Sequence, residues 1–331
     1  NNNLNLESNG YYKNYNTNVF EKVFINDLRY SSIPKINTNG FINRFNLLFK
    51  NVTTESDNSN EYSNNFRSQN FGSLLYDISY PLKKEGGNFD RFISGKASFM
   101  YSPNKNKNIK NLDRKISIKN IFNQNRLGLS DSVEGGQSLT LGGEFKIIDK
   151  ENNSILTAGL ASVLRDKNEE KLPISSTINN KSSDILGSFN FKPNNNFNLD
   201  YNFSVDNDLS STNYNLIKAE LTINKFVTTF EFLQEDDEIG TENHYSNEMK
   251  LTLTDSSSLK YRTRRNKKTD LTEYYNLIYE YKNDCLTAAI QYNKDYYSDK
   301  DLKPNEEIFF SISIVPFSSI NSPSKRKWTK K

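Results

Sequence analysis

This sequence predicts an all-β chain, an antiparallel transmembrane β-barrel, on three observations. Apolar and polar residues alternate at period two through many short stretches. The chain is polar on average yet rich in rings: 34% hydrophobic with a mean hydropathy of −0.78, against 13% aromatics that include 22 Phe and 19 Tyr. The turns alternate between short and long. A polar lumen lowers mean hydropathy and aromatic girdles raise the ring count, so a barrel accounts for the first two together. Disorder would explain the low hydropathy but usually lacks aromatics. A soluble sheet would explain the alternation but gives no reason for the turn asymmetry.

The first residues, 1–18, are Asn-rich and show no clear period, and residues 19–30 alternate imperfectly. Asn37-Thr-Asn-Gly40 is a turn signal. Residues 41–49 then alternate cleanly, with Phe41, Phe45, Leu47 and Phe49 on one face. Residues 51–70 read as a polar loop. Strands follow at 72–82 and 91–101, joined through Gly86-Gly87. Residues 102–137 form a loop unusually long for a compact domain, and such loops are functional or disordered. The strand at 138–148 turns Leu139, Leu141, Phe145 and Ile147 outward and Thr140, Glu144 and Lys146 inward. Its partner spans 154–165, before a polar loop at 166–184. Further strands read at 185–191, 197–205, 214–223, 226–233, 245–254 and 259–265.

The last three strands are the most regular. Tyr275, Leu277, Tyr279 and Tyr281 share a face in 273–282; Leu286, Ala288, Ile290 and Tyr292 share one in 285–293. Ile308, Phe310, Ile312 and Ile314 do so in 308–317. The count is roughly sixteen strands, each near the 9–11 residues of a tilted span. Turns are short at 149–153, 192–196, 224–225, 255–258 and 283–284, and longer at 166–184, 207–213, 234–244 and 294–307. In outer-membrane barrels short turns are periplasmic and long loops extracellular. That places Cys285 at the periplasmic rim and the C-terminus in the periplasm.

Net charge is +3, too small to argue for a nucleic-acid partner. No apolar run approaches the length of a spanning helix. No zinc, phosphate-loop or RNA-binding motif occurs, and no metal or cofactor is expected. Catalysis finds no support: His244 is the only His and falls in an expected outer loop, and no Ser or Cys has a His/Asp partner pattern. Cys285 is the single Cys and cannot form an internal disulfide; a lone Cys is usually a small buried hydrophobe. The chain has no signal peptide or starting Met, so it is expected to be cut from a longer exported precursor.

Four separated stretches resemble one family. They are Ser79-Tyr-Pro-Leu82 with Tyr101-Ser-Pro103, then Asn120-Ile-Phe-Asn-Gln-Asn-Arg-Leu-Gly128, then Glu134-Gly-Gly-Gln-Ser-Leu-Thr-Leu-Gly142. The fourth is the terminal run from Tyr279 through Cys285 to Ile314-Val-Pro-Phe317. In this order they resemble LptD, the outer-membrane lipopolysaccharide assembly proteins, over residues 72–317.

The resemblance implies a Gram-negative outer-membrane location and a role in delivering lipopolysaccharide to the outer leaflet, with no enzymatic activity. It implies that residues 1–317 are the C-terminal portion of a larger barrel, that 318–331 are a basic tail, and that a periplasmic jelly-roll domain and the first strands lie outside this chain. Sugars would pass through the polar lumen and acyl chains through a lateral seam. Implied partners are lipopolysaccharide, an LptE-like lipoprotein plug, an LptA-like periplasmic bridge reached through the missing N-terminal domain, outer-membrane lipids and the barrel-assembly machinery. An open barrel has two unpaired edges, so the fragment is not expected to fold stably alone.

Several residues take roles from this resemblance. Cys285 matches a position whose disulfide ties barrel to periplasmic domain; family members often carry adjacent cysteines, and here only one stands, which leaves the pairing open. Ile308, Phe310, Ile312, Ile314 and Pro316 would form one lip of the seam. Pro316 cannot donate to a ladder and suits an edge, or it simply ends the strand. Lys260, Arg262 and Arg264 alternate inward and could hold lipopolysaccharide phosphates; lumen charges of this kind are also ordinary in barrels. Glu235, Asp236, Asp237 and Glu238 make an acidic tip that could bridge divalent cations or remain solvated. A self-contained porin or nutrient channel is the alternative from a different class, and a passive surface adhesin a third.

Overall fold

Successive residues of an extended chain point to opposite faces, so period-two hydropathy fixes which face each strand gives to which surroundings. The computed structural model describes residues 2–15, 18–236, 238–296, 305–314, 318–321 and 325–326. Its strands are β1 (Asn3–Asn14), β2 (Phe20–Ser31), β3 (Lys35–Ile36), β4 (Ile42–Asp57), β5 (Arg67–Lys84), β6 (Phe89–Ser102), β7 (Gly136–Asp149) and β8 (Ser154–Arg165). They continue as β9 (Ile185–Asn194), β10 (Phe197–Val205), β11 (Thr212–Ile223), β12 (Phe226–Glu235), β13 (Asn243–Thr254), β14 (Ser257–Asn266), β15 (Leu271–Lys282), β16 (Leu286–Asp295) and β17 (Asn305–Ile314). Short strands β18 (Ser318–Asn321) and β19 (Lys325–Arg326) follow. Among the described residues sixteen strands have nine residues or more, and no helix is long and apolar enough to cross a membrane.

The chain divides into two units, Asn1–Ser188 with Ser204–Thr212, and Phe189–Phe203 with Asn213–Lys331. In the first, β1, β2, β4, β5, β6, β7 and β8 pair antiparallel in that order, with β3 added beside β4. In the second, β11 through β17 pair antiparallel in chain order, and β18 and β19 both pair with β17. Part of the expected basic tail is therefore laddered against β17.

Register aligns the apolar faces into rows. In the first unit Phe45, Tyr76, Phe99, Leu139 and Leu164 stand side by side across five strands. In the second, Met249, Tyr261, Leu277, Tyr292 and Ile308 do the same. These faces are exposed: Phe45 is 49% exposed, Leu141 44% and Phe310 49%. The opposite face of the first unit buries charged and polar side chains, Glu21, Asp27, Lys50, Ser98 and Thr140, among apolar ones such as Val23, Leu48 and Leu75. A soluble protein does the reverse, since apolar side chains go inside and charges stay in water. An apolar exterior over an interior that buries charges is stable only where the surrounding solvent is lipid. The chain is thus all-β and antiparallel, of the transmembrane β-barrel class. Along β5 the outward face runs from Gly72 to Leu82. Ten steps of about 3.4 Å, tilted by about 40°, span roughly 26 Å, close to the apolar band of such barrels.

The ladder extends further than hydropathy suggested. β1 is a full strand where the sequence shows no period, and β4 and β5 run through residues 51–57 and 67–70, expected as loop. Their outward residues there are Asn51, Thr53, Ser68 and Asn70. Val52 apart, both faces are polar, so hydropathy does not alternate, although the backbone stays paired beyond the apolar band.

Candidate functional site

The long loop between β6 and β7 does not project into solvent. Ile109, Ile116, Ile121, Leu127 and Leu129 from the loop pack with Ala161 and Val163 of β8, and with Leu172, Ile178 and Leu186, into one buried cluster. The wall receives it through glycines. At Gly142 a Cβ would lie 2.9 Å from Phe122 and 2.5 Å from the Leu160 carbonyl; at Gly159 it would lie 3.1 Å from Ile118. Two side chains of the loop sit where these positions carry none.

The motif residues Arg126 and Glu134 meet in a buried ionic node. Arg126 donates from Nε and Nη2 to the two oxygens of Glu134, at 2.9 and 2.5 Å. Its remaining donors reach Thr140 and Ser138 of β7 at 3.0 and 2.9 Å. Arg165, the last residue of β8, donates to Glu134 at 2.5 Å and to the Gly135 carbonyl at 2.5 Å. Burial alone would push the Glu134 carboxyl up; the two guanidiniums outweigh it and hold the group below its usual range. Charge-assisted bidentate pairs are the strong end of hydrogen bonding; Glu134 is engaged at both oxygens, while the Nε of Arg165 is buried without a partner.

The Glu-Gly-Gly spacing has a local cause. Gly136 has φ +90, which favours glycine, and at Gly135 a Cβ would fall 2.1 Å from the Asn104 carbonyl. The Gly135 N–H donates to Asn106 at 2.7 Å, and Asn106 in turn donates to Glu169 at 2.9 Å. Elsewhere the loop is tied to β5 through Gln124, which donates to the Ser73 carbonyl at 2.9 Å, and to β4 through Lys50, which donates to the Ser130 carbonyl at 2.6 Å.

Between this loop and the polar faces of β1, β2 and β4 lies a cavity of about 580 Å³. Its walls carry both charge signs. Lys50 pairs with Asp27 at 2.7 Å, and Lys107 pairs with Asp131 at 2.6 Å. Tyr62 donates to Asp131 at 2.9 Å, and Lys107 lies 5.0 Å from the Tyr62 ring centre. Burial, then neighbouring Tyr11 and Asp131, push the Tyr62 hydroxyl up, so it stays a donor. Burial would raise Asp131, but Lys107 and Tyr62 hold it below the ordinary carboxylate range. A depressed folded-state pKa stabilises above the unfolded value and loses that contribution as pH falls through the folded one. The latch joining residues 62, 107 and 131 is therefore expected to hold from neutral pH down to about 4 and to release below that. Trypsin cleavage at Lys107, assayed after brief exposure to graded pH, measures it; Asp131→Asn should cleave rapidly at every pH.

This arrangement offers open space walled by charged and polar side chains. Among the described residues no cluster of His, Cys, Asp and Glu could hold a metal. His244 lies at the start of β13 rather than in a loop, 5% exposed, between Glu231 at 3.8 Å and Glu242 at 3.5 Å.

The residues read from the sequence are dispersed. Cys285 is an exposed free thiol in the turn between β15 and β16, its N–H donating to Asn283 at 3.0 Å. Ile308, Phe310, Ile312 and Ile314 share the exposed face of β17; Pro316 lies outside the described residues. Lys260, Arg262 and Arg264 share the polar face of β14. Arg262 is paired with Glu248 at 2.8 Å, and Arg264 with Glu273 at 2.6 Å and Glu242 at 2.9 Å. Lys260 instead stands opposite Lys250. In the acidic tip, Glu235 ends β12 and is buried, and Asp237 lies outside the described residues. The sequence marked Arg126 and Glu134 as motif residues without showing that they meet. It gave no sign of Arg165, whose strand position looked ordinary.

A family model described as LptD, LPS transport system D, matches residues 52–226. That span includes β5 to β11 and the whole inner loop. Among solved structures, a Rhodopseudomonas blastica porin triple mutant is 9% identical with a TM-score of 0.31, covering 85% of this chain and 95% of that chain. A mutant of Rh. blastica porin with five substitutions is 7% identical with a TM-score of 0.35, covering 88% and 95%. The search of curated proteins finds no match.

Proposed function

Because this chain belongs to the LptD family, the proteins of lipopolysaccharide transport, we propose that it forms part of the wall through which lipopolysaccharide reaches the outer leaflet of the outer membrane. The observation that carries the reading is the inner loop: the family match covers it, and ionic and apolar contacts bind it to the polar face beside a cavity. A polar interior suits passage of sugars, and the apolar exterior keeps the wall in lipid. In this reading the loop governs how much of the interior is open. The long loops face outward from the cell, the C-terminus is periplasmic, and an LptE-like lipoprotein and an LptA-like bridge are the partners.

The exposed face of β17 is proposed as one lip of a lateral seam through which acyl chains leave. Of the three cations proposed to meet phosphate, Lys260 is the best placed, since Arg262 and Arg264 already hold carboxylates. Like charges opposite one another on a ladder are unfavourable, and a phosphate lying between Lys250 and Lys260 would relieve that.

Cys285 is proposed to form a disulfide with a cysteine outside this chain. In protein extracted from cells without reductant, its thiol is expected to resist a polyethylene-glycol maleimide, and to shift on a gel after reduction. Immediate labelling of the unreduced protein would remove the disulfide from the model.

The transport reading is tested by depleting the protein that carries this chain and labelling surface lipopolysaccharide on intact cells. A fall in labelling with newly made lipopolysaccharide retained inside supports it. Unchanged labelling with reduced small-solute uptake would instead make the protein a channel.

A further inference from the structure

The outer face of the first unit carries a notch that neither the inner loop nor the seam uses. Two rows of outward residues cross the ladder here. Leu4, Tyr30, Leu47, Leu74 and Tyr101 form one, and Leu6, Leu28, Phe49 and Gly72 the next. Gly72 interrupts the second row. It lies opposite Phe49 and offers no side chain, which leaves a hollow of about 410 Å³. Leu4, Leu28, Leu47, Phe49, Leu74 and Tyr101 line it, so its walls are almost wholly apolar. The backbone does not demand this glycine: a Cβ at position 72 would meet nothing nearer than the Leu48 carbonyl at 3.9 Å. A glycine inside a strand, where a larger residue would fit, often marks close approach by something else.

The next outward row is Ser8, Asn26, Asn51 and Asn70. Ser8 donates to Asn26 at 2.7 Å, and Asn51 donates to Asn70 at 2.8 Å and to Ser68 at 3.1 Å. These side chains face outward at the border of the apolar band, on the end that carries the long loops. They are neutral amides and hydroxyls, each able to donate and accept. The nearest outward charges, Lys22 and Glu55, are paired with each other at 3.5 Å. An amphiphile seated here would meet apolar walls and then a neutral hydrogen-bonding row, in the order of an acyl chain and a sugar.

We propose that this notch and row form a seat for one lipopolysaccharide molecule on the outer wall, an acyl chain in the notch and sugar hydroxyls on the Asn and Ser row. The proposal rests on the transport reading for the identity of its lipid. A row of amides and hydroxyls can bond several sugar hydroxyls at once, and a sugar headgroup offers more of these than a phospholipid headgroup does.

The test uses the whole protein carrying this chain, in native outer membranes, with Phe49→p-benzoylphenylalanine as a photo-crosslinker and Leu141→p-benzoylphenylalanine as the control on the same outer face. Position 49 is expected to yield lipopolysaccharide adducts at least fivefold above position 141. Gly72→Leu, which fills the notch, should remove most of that excess; Asn51→Ala with Asn70→Ala should do so without adding bulk. Heat-modifiable migration confirms that each variant is folded. Phospholipid adducts at position 49, equal yields at 49 and 141, or an excess that survives both the filling and the double alanine variant would overturn the proposal. The outcome separates from that of depletion: adducts at 49 with unchanged surface labelling would leave the seat standing and remove the transport role.

Discussion

Replacing Glu134 with glutamine is expected to free the inner loop. The substitution keeps size but turns one acceptor oxygen into an NH2 donor, and it leaves Arg126 and Arg165 facing a neutral amide, both with side chains at 2% exposure or less. Removing one partner of a buried ion pair costs about 3–5 kcal/mol, because an uncompensated charge stays buried. The loop holds several trypsin sites, among them Lys107, Lys110, Lys115 and Lys119. The parent protein should resist cleavage there in membranes and Glu134→Gln should be nicked within minutes. Cells carrying it should admit large antibiotics that the parent excludes. A further variant isolates the cause. Combining Arg126→Met, Glu134→Leu and Arg165→Met removes all three charges, and should recover much of the lost stability, as apolar replacement of buried ionic groups often does. If Glu134→Gln remains protease-resistant and impermeable, the node does not hold the loop.

The second large effect is expected at Gly142. A Cβ there would stand 2.5 Å from the Leu160 carbonyl, 2.7 Å from Ala161 Cβ and 2.9 Å from Phe122. Two of these neighbours cannot swing away, since one is backbone and the other is the first atom of its side chain. Gly142→Val must therefore part β7 from β8 and displace Phe122. Overpacking of this kind costs about 1–3 kcal/mol, and more where backbone must move. Gly95 is the matched control: it lies on β6, and a Cβ there would meet nothing within 4 Å. Gly95→Val should leave the thermal midpoint of gel migration nearly unchanged, while Gly142→Val lowers it by several degrees. Equal midpoints would mean that the loop does not seat against this glycine.

Much of the wall was legible because lipid imposes a simple code. Phe45, Leu47 and Phe49, or Leu277, Tyr279 and Tyr281, show their face by alternation alone, and their exposure in the structure follows directly. Where the ladder leaves the apolar band the code stops. β1 begins with Leu4 and Leu6, then turns Ser8 and Gly10 outward, and reads as irregular text although every residue is paired. The inner loop was legible only as a length and a motif. Its buried residues Ile109, Ile116, Ile121, Leu127 and Leu129 follow no period, because they reach one common cluster from a segment with no regular secondary structure to set one. Arg165 was invisible for a related reason: its role depends on the loop returning to it, and no local pattern records that.

The contacts that hold the inner loop join residues far apart in the chain. Glu134 to Arg165 spans 31 residues, Gln124 to Ser73 spans 51, and Lys50 to Ser130 spans 80. The node draws Thr140 and Ser138 from β7 and Arg165 from β8, so it is expected to close only after those strands have paired. The wall should thus assemble at nearly its own pace, with the loop settling afterwards. Interactions absent from the folding transition state govern the rate of unfolding rather than folding. The ionic node is then a brake on disassembly: losing it should shorten the lifetime of the native protein while leaving the speed of its formation almost unaltered.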